Sequence, residues 1–113
     1  MAKDKLLIVL SSGDIQVAQK FPLLYSSVAL PREYWKEIHL MFWGPSIKLL
    51  KKKSIQKQIK VIQDTGVCMS ACIVCVEEYD MVKQVKQLGI KVNHTGELLT
   101  KALKKKSYSV ITI

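Results

Sequence analysis

Five short apolar runs alternate along the chain with stretches whose apolar positions recur every three or four residues, and turn-forming residues fall between them. Leu6 to Leu10 is an unbroken apolar run, as expected of a strand buried on both faces, and it stops at Ser11-Ser12-Gly13. Asp14 is placed to cap a helix whose apolar positions are Val17, Ala18, Phe21, Leu24, Tyr25 and Val28. Pro22 lies inside that pattern without the N–H that would bond back to Ala18, so a kink is expected there, and Leu30-Pro31 ends the segment. Ile38 to Trp43 reads as the second strand, closed by Gly44-Pro45-Ser46. The lysine-rich segment beyond it carries Ile47, Leu49, Leu50, Ile55, Ile59 and Ile62 as an apolar stripe, with Ser54 a candidate cap midway.

After Gly66, Val67 to Ala71 reads as a third strand, and Cys72 leads into a helical stretch. Asp80 is a candidate cap for a further helical piece whose Val82, Val85 and Leu88 face inwards and which Gly89 stops. Ile90 to Asn93 gives a fourth strand. Thr95 opens a helix with Glu97 in its first turn and lysines in its last, charges that suit the helix dipole. Tyr108 to Ile113 is the fifth strand. Continuous apolar strands separated by helices predict a parallel sheet covered on both faces. The expected fold class is therefore α/β, a three-layer arrangement in a single domain over residues 1–113.

Composition narrows the function classes. At 113 residues with 49% hydrophobic and 24% charged positions, the chain suits one globular domain and is too short for a TIM barrel. No apolar run approaches the roughly 20 residues that span a bilayer. The basic start Met1-Ala2-Lys3-Asp4-Lys5 precedes too short an apolar stretch for a secretory leader, so a cytoplasmic location with no membrane contact is expected. The net charge is +9 and the only arginine is Arg32. Lys48, Lys51, Lys52, Lys53, Lys57 and Lys60 lie in a stretch free of acids between Glu37 and Asp64, and Lys101, Lys104, Lys105 and Lys106 follow the last acid, Glu97. Such groups suit polyanions or acidic proteins, or serve as solvated helix faces. Base-reading modules usually add arginine and exposed aromatics, which these stretches lack, so nucleic acid is a weak candidate partner.

Three cysteines in a reducing compartment argue for thiol or metal chemistry over a disulfide scaffold. Cys68, Cys72 and Cys75 have the spacing of the iron–sulfur motif of radical enzymes that use S-adenosylmethionine. That reading fails because the chain is too short for the partial barrel. Four extended residues would also hold Cys68 and Cys72 roughly 13 Å apart. A structural zinc site is one ligand short unless His94 folds nearby, and no metal or cofactor is expected. Cys72 remains, at a strand-to-helix junction where free N–H groups and the positive helix end favour a thiolate. It sits at the carboxyl edge of the strands, where open α/β sheets bind ligands. Cys72 is thus a candidate nucleophile, and Cys75, one turn on, can resolve it or receive sulfur from it. Cys68 reads as a small core residue.

An ordered set of short motifs runs through nearly the whole chain. Ser11-Ser12-Gly13-Asp14 follows strand one, and Phe42-Trp43-Gly44-Pro45-Ser46 ends strand two. Gly66-Val67 and Ala71-Cys72-x-x-Cys75 flank strand three, and Leu88-Gly89-Ile90-Lys91-Val92 and Thr95-Gly96 precede the terminal strand. In this the chain resembles the DsrE/DsrF-like family of small sulfur-relay proteins. The resemblance implies a five-stranded, mainly parallel sheet, a homo-oligomer and a sulfur donor or acceptor protein as partner. It also implies a cysteine at the end of strand three that carries sulfane sulfur as a persulfide, which maps to Cys72. Cys68 and the high lysine content depart from the pattern.

His94 follows strand four. If strand four neighbours strand three, as in the family, it can approach Cys72 to stabilise a thiolate or shuttle a proton. His39, mid-strand, reads as a satisfied core or interface residue, and Trp43 as either a cleft wall or core. Ser11, Ser12 and Ser46 lie on one predicted edge and can offer hydrogen bonds to a small anion. Three functions stay open: a sulfurtransferase-like carrier with Cys72 as acceptor, a dithiol redox protein using Cys72 and Cys75, and a basic binding module. Tyr25, Tyr34, Trp35 and Met41 to Trp43 are more large apolar groups than a small domain need expose. Self-association as a dimer, a trimer or a multiple is therefore expected.

Overall fold

The computed structural model describes residues 3–113. The reading of the extreme N-terminus as no leader rests partly on Met1 and Ala2, which lie outside the described residues. Strands β1 (Lys5–Leu10), β2 (Glu37–Phe42), β3 (Cys68–Cys72), β4 (Lys91–Asn93) and β5 (Tyr108–Thr112) form one sheet in the order β4-β3-β2-β1-β5. All four pairings are parallel. From β1 to β4 the chain steps in one direction and lays every connecting helix on one face, as right-handed crossovers require. These are α1 (Ile15–Lys20), α2 (Pro22–Ala29), α3 (Lys53–Asp64), α4 (Ile73–Glu78) and α5 (Val82–Gln87), with a 3-10 helix over Gly44–Lys51. The return from β4 to β5 runs the other way, so α6 (Thr95–Lys104) crosses the opposite face.

Strand alternation divides the core accordingly. Leu6, Ile8 and Leu10 of β1 and Ile38, Leu40 and Phe42 of β2 face the larger helical layer, where Leu23, Ile47, Leu50, Ile55, Ile59 and Ile62 bury them. Leu7, Val9 and Met41 face the other way and pack on Ala102, Leu98 and Leu99 of α6. The sheet closes far along the sequence, where the Ser11 N–H and hydroxyl both donate to the Ile113 carbonyl, at 2.7 and 3.0 Å.

Local chemistry departs from the sequence pattern at three joints. Pro22 divides the first helix outright and occupies the first position of α2, where its missing N–H costs no bond. The lysine-rich stripe is not one helix: Ile47, Leu49 and Leu50 are buried from the 3-10 helix, Lys52 is extended, and α3 then starts without a side-chain cap, so Ser54 caps nothing. Asp80 is likewise no N-cap. Its φ of 54° is left-handed, and it ends α4, with the Met81 N–H on the Val76 carbonyl and its own N–H on Glu77. Asp14 does cap α1, accepting from the N–H groups of Gln16 and Val17 at 2.9 and 3.0 Å.

Candidate functional site

The site grows out of the end of β3. Met69 and Ala71 face the large core, so Cys68, Ser70 and Cys72 face the α6 side. Cys72 ends the strand with φ −63° and ψ 119° and is the residue from which α4 starts. Because Cys72 is in register with Asn93 of β4, the chain leaving β4 must pass beside it, and His94 and Thr95 do so as α6 begins. Gly44 (φ +67°) turns the chain after Trp43 into the 3-10 helix. At Gly13 a Cβ would lie 3.0 Å from the Pro45 side chain, so these two loops close tightly over the glycine.

The electrostatics of the two thiols differ. Burial is the largest influence on Cys72 and pushes its thiol up. The Cys75 N–H, the Cys75 thiol, the Thr95 hydroxyl and the Val74 N–H outweigh it together, and the net shift is downward. Cys75 moves the other way. Burial raises it most, the Gly44 N–H offsets part of this, and donation to Cys72, the Cys72 charge and Glu78 raise it further. The pair therefore sets a thiol shifted toward thiolate, Cys72, beside one shifted away from it, Cys75. Cys72 opens onto a cleft of about 770 Å³ whose walls include Trp43 and Val74 on one side and His94, Thr95 and Lys101 on the other. Val74 is 53% exposed, so the mouth carries an apolar lip.

The other candidate residues fall as follows. His94 lines the same cleft, whereas Cys75 lies behind Cys72, under Gly44. Trp43 fills both roles weighed for it, packing on the α6-side core and walling the cleft. Cys68 is exposed at the far end of β3, so it is not a core residue and does not join the other thiols. His39 is half-buried with its Nε2 2.7 Å from Ser70 Oγ, and burial, with the Lys91 charge, holds it down to about 4. The three serines are structural. Ser46 donates to the Leu10 carbonyl, Ser11 to Ile113, and Ser12 accepts from the Asp14 N–H. Their hydroxyls are engaged by backbone groups of the loops that close this edge. The whole first lysine group is exposed; within it Lys48 lies 4.8 Å over the Tyr79 ring and Lys60 pairs with Asp64 at 3.5 Å. Met41 and Phe42 are buried within the chain, which leaves Tyr34, Phe21 and Leu24 as the large exposed apolar groups near α1 and α2. Thr95 was not singled out from the sequence. Its signal is the strand register, which a single sequence does not display.

No helix among the described residues is long and apolar enough to cross a membrane. No curated protein matches the sequence. Among solved structures, the chain is similar to the conserved protein of unknown function BT1422 from Bacteroides thetaiotaomicron. The TM-score is 0.90 and the identity 28%, over 97% of this chain and 95% of that one. It shares its fold with the ychN protein from E. coli, at TM-score 0.73 and 15% identity over 100% of both chains. The family profile described as DsrE/DsrF-like matches residues 4–113. Sheet order, the cysteine that ends β3 and a match over nearly the whole chain agree, and the chain belongs to the DsrE/DsrF-like family.

Proposed function

We propose that the protein is a cytosolic sulfur-relay protein that carries sulfane sulfur as a persulfide on Cys72. The observation that carries this reading is the state of Cys72: a thiol held toward thiolate at the mouth of an open cleft. The thiolate attacks the outer sulfur of a donor persulfide, R–S–SH. A bond forms between Cys72 Sγ and that sulfur, the donor's S–S bond breaks, and R–S⁻ leaves, so that Cys72–S–SH is formed with no outside oxidant. The open cleft and its apolar lip suit a donor carried on another protein. Incubation with a sulfane-sulfur donor should add one sulfur to the intact mass, and Cys72→Ala should abolish the gain. Equal absence of the adduct in wild type and mutant, with several donors, rules the reading out.

A second reading rests on the contact between the two thiols. In a dithiol redox protein Cys72 and Cys75 would form a reversible disulfide. Thiol counting after mild oxidation decides it, since two free thiols should then disappear together and return with a reductant.

A further inference from the structure

The hydroxyl of Thr95 is a polar group at the site without a settled partner. Thr95 is 1% exposed, and its Oγ1 is buried with no hydrogen bond of full geometry. A buried hydroxyl in that state is costly and uncommon. The other described atoms of this kind, Ser26 Oγ and Gln58 Oε1, lie on α2 and α3, away from the cleft. Threonines elsewhere bond back along the chain: Thr100 donates to the Gly96 carbonyl at 2.8 Å and Thr65 to Ile62 at 2.7 Å. Thr95 is the first residue of α6 and has no preceding helical turn to bond. It lines the same cleft as Cys72, and its effect on that thiol is downward. The first turn of this ten-residue helix also lacks a side-chain cap from His94, and apart from the Glu97 N–H, which donates to the His94 carbonyl at 3.2 Å, its N–H groups and positive end border the same cleft.

We propose that Thr95 and the uncapped first turn of α6 form the anion site of the cleft. The Thr95 hydroxyl holds the charged sulfur on Cys72, as thiolate before transfer and as the outer persulfide sulfur after it. The first half rests on the buried, unpartnered hydroxyl lining the cleft beside Cys72, and the second rests on the persulfide reading. Thr95 donates a hydrogen bond throughout and gives up no proton, so the transfer keeps the balance written above. An outer sulfur about 2 Å beyond Sγ stays within reach of a hydroxyl that lines the cleft beside Cys72. The titratable and charged groups around the sulfur are Cys75 and Glu78 on α4, His94 just before α6, and Glu97 and Lys101 on α6. Trp43 closes the remaining side without charge.

The test compares Thr95→Val, which keeps the shape and removes the donor, with Thr95→Ser, which keeps the donor. Alkylation of the Cys72 peptide by iodoacetamide is followed by mass against pH. In Thr95→Val the midpoint should rise, and the rate at pH 7 should fall about threefold to tenfold, as the loss of one hydrogen bond to a thiolate predicts. Thr95→Ser should stay near wild type. The melting temperature of Thr95→Val should hold near wild type, because the hydroxyl bonds no backbone group of the fold, whereas a merely structural threonine would lower it. If valine unfolds the protein, Thr95→Ala must show the same loss of reactivity. Unchanged alkylation in a folded Val or Ala variant overturns the proposal. A second arm loads the proteins with polysulfide and follows the added sulfur by intact mass, with faster loss expected from Thr95→Val. If the alkylation shift appears but wild type takes up no sulfur, the carrier reading falls and the thiolate role of Thr95 stands. If sulfur loads but leaves both proteins at one rate, the persulfide half of the proposal falls.

Discussion

At the scale of single residues, the two neighbouring thiols are set apart by what faces each. Cys75 donates to Cys72, so Cys75→Ala should raise the Cys72 pKa and slow its alkylation at neutral pH by about threefold to tenfold. A faster reaction in that variant would mean that Cys75 restrains Cys72. His39 bears on stability. Its imidazole stays neutral in the fold down to about 4, whereas the unfolded chain takes up a proton near 6.5. Between those values the unfolded state binds the extra proton, so stability falls as the pH is lowered through the window and levels off below it. The loss is at most about 3 kcal/mol, less what residual exposure screens. His39→Gln should flatten that part of the urea-midpoint profile, and an unchanged profile would assign the titration to other groups. Cys72 was legible in the sequence because a strand-to-helix junction is a local pattern. Thr95 was not, because its place beside Cys72 depends on pairing between β3 and β4.

At the scale of elements, the two faces of the sheet respond differently to substitution. Ile59 lies at the centre of the large layer, and Ile59→Ala should cost about 2 to 5 kcal/mol through the cavity it leaves. Because α3 does not line the cleft, the folded variant should keep wild-type Cys72 alkylation. Ala102, 1% exposed, sits where α6 meets Leu7, Val9 and Met41. Ala102→Leu should cost about 1 to 3 kcal/mol by overpacking, and should also alter Cys72 reactivity by displacing the helix that carries Thr95. Equal Cys72 reactivity in the two variants would contradict this division. Period and turn residues made every strand and most helices legible. The 3-10 helix was not, because Ile47, Leu49 and Leu50 match an α-helical stripe as well as a tighter turn. Asp80 misled because aspartate suits both an N-cap and a left-handed helix end, and only the Val76–Met81 bond distinguishes them.

At the scale of the molecule, Phe21 and Leu24 are 47% and 54% exposed near the uncharged edge strand β5, where Ile111 is 36% exposed. Self-association is expected, and light scattering at low micromolar concentration should give a multiple of the 12.8 kDa chain; the single-chain mass would contradict it. Strand number, the parallel sheet and the three layers were legible in the alternation of apolar strands and helices, whereas the strand order depends on pairing that the local pattern does not display. The return of α6 across the sheet has a kinetic consequence. The strand made first, β1, obtains its second neighbour only from the strand made last, about a hundred residues later. Such distant closure is slow, and a growing chain lengthens by roughly 5 to 20 residues each second. Cys72 therefore leaves the ribosome before α6, which walls its cleft, has been made. The environment that shifts that sulfur toward thiolate is thus complete only once α6 has docked on the sheet.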